Sequence, residues 1–151
     1  MTSPTVPLPA DDDAAIRRLV VAYADAVSRL DAAAWAATWA EGARWELGAR
    51  VLEGRDAIVA HWTALLPIYD SVLQLPSQGW LTRRGDVVVG RWLVLEILRK
   101  RDASEDALQV ACYVDEYVRE GGEWVFGARR LSAHYRGSLP PGAFVPLPPL
   151  P

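Results

Sequence analysis

From Asp11 onward the apolar residues Ile16, Leu19, Val20, Tyr23, Val27 and Leu30 recur at the i, i+3, i+4, i+7 spacing of one buried helical stripe, with Asp11 or Asp12 as the expected N-cap. Asp31 opens a second predicted helix, Ala32 to Ala40, which sets Trp35 and Trp39 four apart on one face. Arg44 to Glu53 reads as a hairpin turning near Gly48, and Asp56 to Leu66 as a third helix that Pro67 helps end. From Ser71 the period changes to two. Val72 to Thr82, Val87 to Arg99, Ala107 to Arg119 and Glu123 to Arg136 are predicted strands, separated by Arg84-Gly85-Asp86, Asp102 to Asp106 and Gly121-Gly122. In the last strand, alternation puts Val125, Arg129, Leu131 and Tyr135 on one face and Trp124, Phe126, Arg130 and His134 on the other. Helices followed by long strands on short turns predict an α+β domain, a curled antiparallel sheet with helices over one face, an arrangement that commonly encloses a pocket.

Composition narrows the chemistry. The 151 residues suit one domain, and 19 acidic against 16 basic side chains give a net charge of −3. Only Arg99, Lys100 and Arg101 form a contiguous basic run, which disfavours nucleic acid as a partner. Cys112 has no cysteine to pair with, and it reads as a small buried apolar residue. With only His61 and His134 beside it there is no cysteine/histidine zinc set, so structural zinc is not expected. No run approaches the roughly 18 apolar residues of a membrane span, and Met1 to Pro9 lacks the pattern of a signal peptide, so the expected location is cytoplasmic. Nine of the 11 prolines lie in the tails, 1–10 and 138–151, which brackets the domain between Asp11 and Gly137. The rear tail carries Leu139, Phe144, Val145, Leu147 and Leu150 and is expected to pack on this domain or on a neighbouring subunit. That tail and the sheet's outer face predict a homo-oligomer, a trimer or a dimer.

The element order resembles a known family through Tyr23, Asp31, Trp35, Trp45, Glu53 to Ile58, Tyr113 to Tyr117 and Gly121 to Trp124. It looks like the SnoaL-like members of the nuclear transport factor 2-like superfamily over Asp12 to Tyr135. Ala43-Arg44-Trp45, Pro67-Ile68-Tyr69, the Tyr113 to Trp124 stretch and the proline-rich tail with Phe144 liken it most to the hexachlorocyclohexane dehydrochlorinase group. The resemblance implies a cone-shaped pocket and cofactor-free dehydration, dehydrohalogenation, isomerisation or cyclisation of a small apolar molecule. In dehydrochlorinase-like and dehydratase-like members an aspartate late in the first helix orients a histidine on the first long strand, and the histidine takes a proton. Aligned on Tyr23 and Trp45, those two places fall here on Ser28 and Gln74. Glutamine is no base near neutral pH, and a shifted register that brings Asp31 opposite Gln74 restores only the carboxylate.

Asp31 lies roughly 60° from the centre of the first helix's stripe, which leaves it either to cap the second helix or to look into the pocket. Tyr23 lies on the stripe, as core or as a pocket donor. Arg129, five residues past Trp124 where the dehydrochlorinase-like members carry a pocket arginine, needs a partner in Asp115 or Glu96, or an anionic group of a ligand. His134 is either a general base or a structural histidine. The catalytic set read from the sequence is Asp31, Tyr23, Gln74 and Arg129, with Ser28, Trp35, Trp39, Trp45, Trp92, Tyr113, Asp115 and His134 as substrate-lining candidates. Two functions fit: a cofactor-independent lyase, isomerase or cyclase acting on a hydrophobic small molecule, or a non-catalytic binding or shape-template protein.

Overall fold

The computed structural model describes residues 5–150; the outermost tail residues, Met1 to Pro4 and Pro151, lie outside it. A short strand β1 (Thr5–Val6) precedes helix α1 (Ala10–Ser28), the short helix α2 (Ala32–Ala36), the hairpin β2 (Trp39–Leu47) and β3 (Arg50–Glu53), and helix α3 (Arg55–Leu65). A 3₁₀ turn over Leu66–Ile68 holds Pro67 and leads into β4 (Tyr69–Pro76), β5 (Trp80–Arg84), β6 (Val87–Lys100), β7 (Asp106–Glu120) and β8 (Glu123–Leu139). The eight strands form one sheet in the order β1-β5-β6-β7-β8-β2-β3, with β4 also paired to β6. The sheet is mixed: every pair is antiparallel except β2 with β8.

Helix α1 buries Ile16, Val20, Tyr23 and Val27, the stripe the spacing predicts. Its N-cap is Pro9 and no side chain caps it; Asp11, Asp12 and Asp13 instead occupy the first turn, where carboxylates complement the helix dipole. Helix α2 stops at Ala36, four residues short of the predicted end, and the Thr38 hydroxyl donates to the Trp35 carbonyl at 2.7 Å. Trp39 therefore begins β2 rather than continuing a helical face, yet both indoles are fully buried. Gly48 turns the β2–β3 hairpin at φ +62°, a conformation glycine adopts without strain.

The strand predicted from Val72 to Thr82 is two strands. Pro76 ends β4, and β4 and β5 lie end to end along β6, on Val94–Lys100 and Val87–Arg91 respectively. Gly79, in the break between them, leaves the space that the Trp92 ring fills. Strand β8 departs from simple alternation at two bulges, where Gly127 and His134 have no opposite number on β7. The first keeps Phe126 and Arg129 both buried; the second turns Tyr135 outward and exposes it.

Residues of the rear tail lie against the body. Asp106 accepts the Arg99 guanidinium at 2.7 and 2.9 Å and the Gly142 N–H at 2.9 Å, and Phe144 stacks 5.0 Å from the Arg99 guanidinium carbon. The arginine beside it and the Gly142 N–H hold the Asp106 carboxyl below the usual carboxylate range. Phe144 to Leu147 then wall a groove with Ser28–Leu30 and Asp70–Leu73.

Candidate active site

The core is an aromatic cluster. Trp35 stacks on Trp62 at 4.4 Å and meets Trp39 and Trp45 edge-on at 5.4 and 5.5 Å, while Tyr23 packs against Trp35, Trp39, Tyr113 and Phe126. Between this cluster and the inner faces of β4, β6 and β7 lies a cavity of about 190 Å³. Its apolar walls include Val27, Leu47, Val72 and Leu98, and its polar ones are Tyr23, Tyr69, Gln74, Glu96, Gln109 and Tyr113.

Glu96 is the ionisable centre of that wall. Alternation along β6 puts it in phase with the buried Trp92 and Val94, and its register partners are Gln74 on β4 and Gln109 on β7. Gln74 Nε2 donates to Glu96 Oε1 at 2.7 Å and Gln109 Nε2 donates to Oε2 at 2.6 Å, so each carboxylate oxygen holds one amide donor. Among the described residues Glu96 makes no ion pair, and the remaining lone pairs border the cavity. Ser28 fixes this arrangement from behind, its Oγ accepting the Gln74 backbone N–H at 3.0 Å.

In the same cavity as Glu96, the hydroxyls of Tyr23 and Tyr113 lie 3.4 Å apart. Burial pushes the Tyr113 phenol well above its ordinary value, with Tyr23 adding to the effect. Burial also raises Tyr23 against the pull of Arg129, and burial followed by the charge of Glu96 raises Tyr69. All three phenols therefore remain neutral O–H donors across the ordinary pH range.

Behind the two tyrosines a polar network closes the narrow end. Arg129 donates to Asp115 at 2.8 and 3.2 Å, Tyr117 donates to Asp115 at 2.9 Å, and Trp92 Nε1 donates to the Tyr117 hydroxyl at 2.7 Å. Burial works against both charges: it is the largest influence on Arg129, where Asp115 and the neighbouring tyrosines together offset it and raise the guanidinium pKa, and it raises the Asp115 carboxyl against the pull of Arg129. Its Nη1 has no hydrogen-bond partner and is compensated by rings: Tyr113, Phe126 and Tyr23 lie 3.8, 4.0 and 4.2 Å from the guanidinium carbon.

Of the residues singled out in the sequence, Tyr23, Gln74, Trp45 and Tyr113 converge on the cavity. Arg129 and Asp115 form the layer behind it, Ser28 backs Gln74, and Trp35 and Trp39 are core beneath the walls. Trp92 belongs to the Tyr117 end. Asp31 does not reach the cavity: its Oδ1 caps α2 through the Ala34 N–H at 2.9 Å, and Oδ2 pairs with Arg29 at 2.8 Å. Those two contacts hold its carboxyl below the usual range. Asp31→Ala is therefore expected to lower the unfolding midpoint slightly in a thermal melt and to leave turnover unchanged. His134 sits exposed at the second β8 bulge. His61 lies on α3 against Trp45 and Arg50, and burial followed by Arg50 lowers its pKa. Glu96 and Gln109 did not figure among the site residues; the signal that finds them is strand phase, a carboxylate and an amide at inward positions of β6 and β7.

Among the described residues no three His, Cys, Asp or Glu side chains gather as a metal-ligand set, and no helix is long and apolar enough to cross a membrane. Solved structures with this fold include a hexachlorocyclohexane dehydrochlorinase (LinA) Type2, at 24% identity over 90% of this chain and 94% of that one, TM-score 0.79. The LinA-type3 dehydrochlorinase of Novosphingobium barchaimii LL02 matches at 23% identity over 91% and 96%, TM-score 0.79. A putative scytalone dehydratase of Novosphingobium aromaticivorans DSM 12444 matches at 20% identity over 93% and 95%, also with a TM-score of 0.79. No curated protein matches the chain in sequence. The SnoaL-like domain model matches residues 9–130, and with helices packed over a curved, unclosed sheet the chain belongs to the SnoaL-like family.

Proposed function

We propose that the protein is a cofactor-independent lyase or isomerase that removes a carbon-bound proton from a small hydrophobic molecule, with Glu96 as the general base. The observation that carries this reading is the Glu96 carboxylate, held between two amide donors and facing an apolar cavity of about 190 Å³. The hexachlorocyclohexane dehydrochlorinase and the putative scytalone dehydratase among its structural neighbours favour the same reaction class. In the relatives the sequence resembles, a histidine stands where Gln74 is; here the base moves one strand over, to the residue that Gln74 pairs with.

The step follows from the groups present. A Glu96 oxygen takes the proton, the C–H electron pair forms a new π bond to the neighbouring carbon, and the group on that carbon leaves with its bonding pair. In an isomerisation the pair instead shifts toward an oxygen and is later reprotonated. The Tyr23 and Tyr113 hydroxyls are donors for the charge that develops on that oxygen or leaving group. Arg129, one layer behind, biases both rings toward negative charge. The cavity's volume of about 190 Å³ limits the substrate to a small molecule.

The test uses 5-nitrobenzisoxazole, a flat bicyclic probe whose ring opens when a base removes its single C3 proton. The protein should open the ring saturably, and Glu96→Gln should not. Binding of the probe without any acceleration over buffer would overturn the enzyme reading in favour of a shape-template protein.

The outer face of the sheet supports a homo-oligomer. Leu75, Leu93, Leu95, Val114 and Tyr135 are exposed on adjoining strands, with Leu93 at 53%. Apolar patches of this kind mark partner surfaces. Sedimentation should give a dimer or trimer mass that Leu93→Glu reduces to a monomer; a monomeric unmodified chain would contradict it.

A further inference from the structure

A glutamine amide offers either its NH₂ or, after a half-turn of its last torsion, its carbonyl. Turned one way, Gln109 donates to a Glu96 carboxylate; turned the other, it accepts, and Glu96 can satisfy it only by carrying a proton. The direction is set from outside. Gln109 stands directly opposite Arg136 in the β7–β8 register, and Arg136 Nε donates to Gln109 Oε1 at 3.1 Å. A guanidinium has donors only, so it holds the carbonyl end and leaves Nε2 for Glu96. The His134 bulge makes this pairing: an unbroken alternation from Arg129 would point Tyr135 inward and Arg136 outward, and the extra residue reverses them.

We infer that Arg136 is a positioning residue which, by orienting the Gln109 amide, keeps Glu96 in the proton-accepting state. This rests on the reading of Glu96 as the base. The other groups facing Glu96 do not supply the same control. Tyr23 from α1, Tyr69 from β4 and Tyr113 from β7 stay neutral, Gln74 from β4 is neutral, and the Arg129 charge of β8 is engaged by Asp115. Arg136 itself is exposed, so its replacement leaves the core intact.

The test reads 5-nitrobenzisoxazole turnover across pH. Arg136→Met should lower kcat about tenfold near neutrality with KM little changed, the size expected for one hydrogen bond of about 1.4 kcal/mol acting in the transition state. Arg136→Lys, which keeps a donor for the Gln109 carbonyl, should restore part of the rate. In a Gln109→Met background, Arg136→Met should have no further effect. An Arg136→Met variant indistinguishable from the parent at every pH, or an equal loss with and without Gln109, would overturn the positioning role. Full activity in Glu96→Gln would instead refute the base assignment, so the two failures are separable.

Discussion

Glu96→Gln is expected to reduce 5-nitrobenzisoxazole turnover by about 10²- to 10⁴-fold, the range a positioned general base contributes, with no comparable change in probe affinity. The substitution keeps shape and volume, so the walls of the cavity are unaltered. It does change the hydrogen bonding, because the new amide brings its own donors to a place where Gln74 Nε2 and Gln109 Nε2 already donate. Gln74 can answer by reversing its amide, and the urea midpoint should stay close to that of the parent. Tyr23→Phe gives the companion measurement: it removes one hydroxyl of the tyrosine pair that lines the cavity with Glu96 and should lower kcat by a smaller factor. Parental turnover in Glu96→Gln would mean the base lies elsewhere.

The largest stability effect is expected at Arg129. Arg129→Met should cost about 3–5 kcal/mol in urea unfolding, because it leaves the Asp115 carboxylate fully buried with only the Tyr117 hydroxyl to answer it. The cost arises from an uncompensated charge, not from lost volume, since methionine fills much of the same space. The double replacement Arg129→Met with Asp115→Leu should accordingly recover much of the loss. Aromatic contacts at 3.8 to 4.2 Å add to the single-variant penalty by removing the cation that three rings face. An Arg129→Met midpoint equal to the parent's would show that the pair carries no net weight in the fold.

Much of the fold was legible because its elements carry strong periodic signals. The α1 stripe, the change to period two after Ser71 and the glycine turns gave an α+β domain with helices on one face of a curved sheet, and the structure has it. What escaped was set by tertiary pairing. Trp39 has the helical spacing to Trp35 but is taken into β2 by β8, and Pro76 divides a run of strand-forming residues into β4 and β5 because β6 is long enough to pair both. The β2–β8 pair is parallel, which no local pattern announces. The two β8 bulges are equally silent, and each inverts the faces downstream of it.

The site was half legible for a related reason. Tyr23, Gln74, Trp45 and Tyr113 could be named from residue type, strand phase and resemblance, but Gln74 read only as a lost histidine. Its meaning depends on the residue directly across the ladder, Glu96, and cross-strand register is a property of the folded sheet. Asp31 shows the converse: a carboxylate at a suggestive place in the sequence whose two oxygens are already taken by a helix N-terminus and an arginine.

The central claim is that Glu96 removes a proton from carbon, and the kinetic isotope effect on C3-deuterated 5-nitrobenzisoxazole tests it most directly. The account predicts a primary isotope effect on kcat in the parent protein, together with loss of saturable turnover in Glu96→Gln. Turnover with no isotope effect, or the same isotope-sensitive turnover in Glu96→Gln, would contradict it.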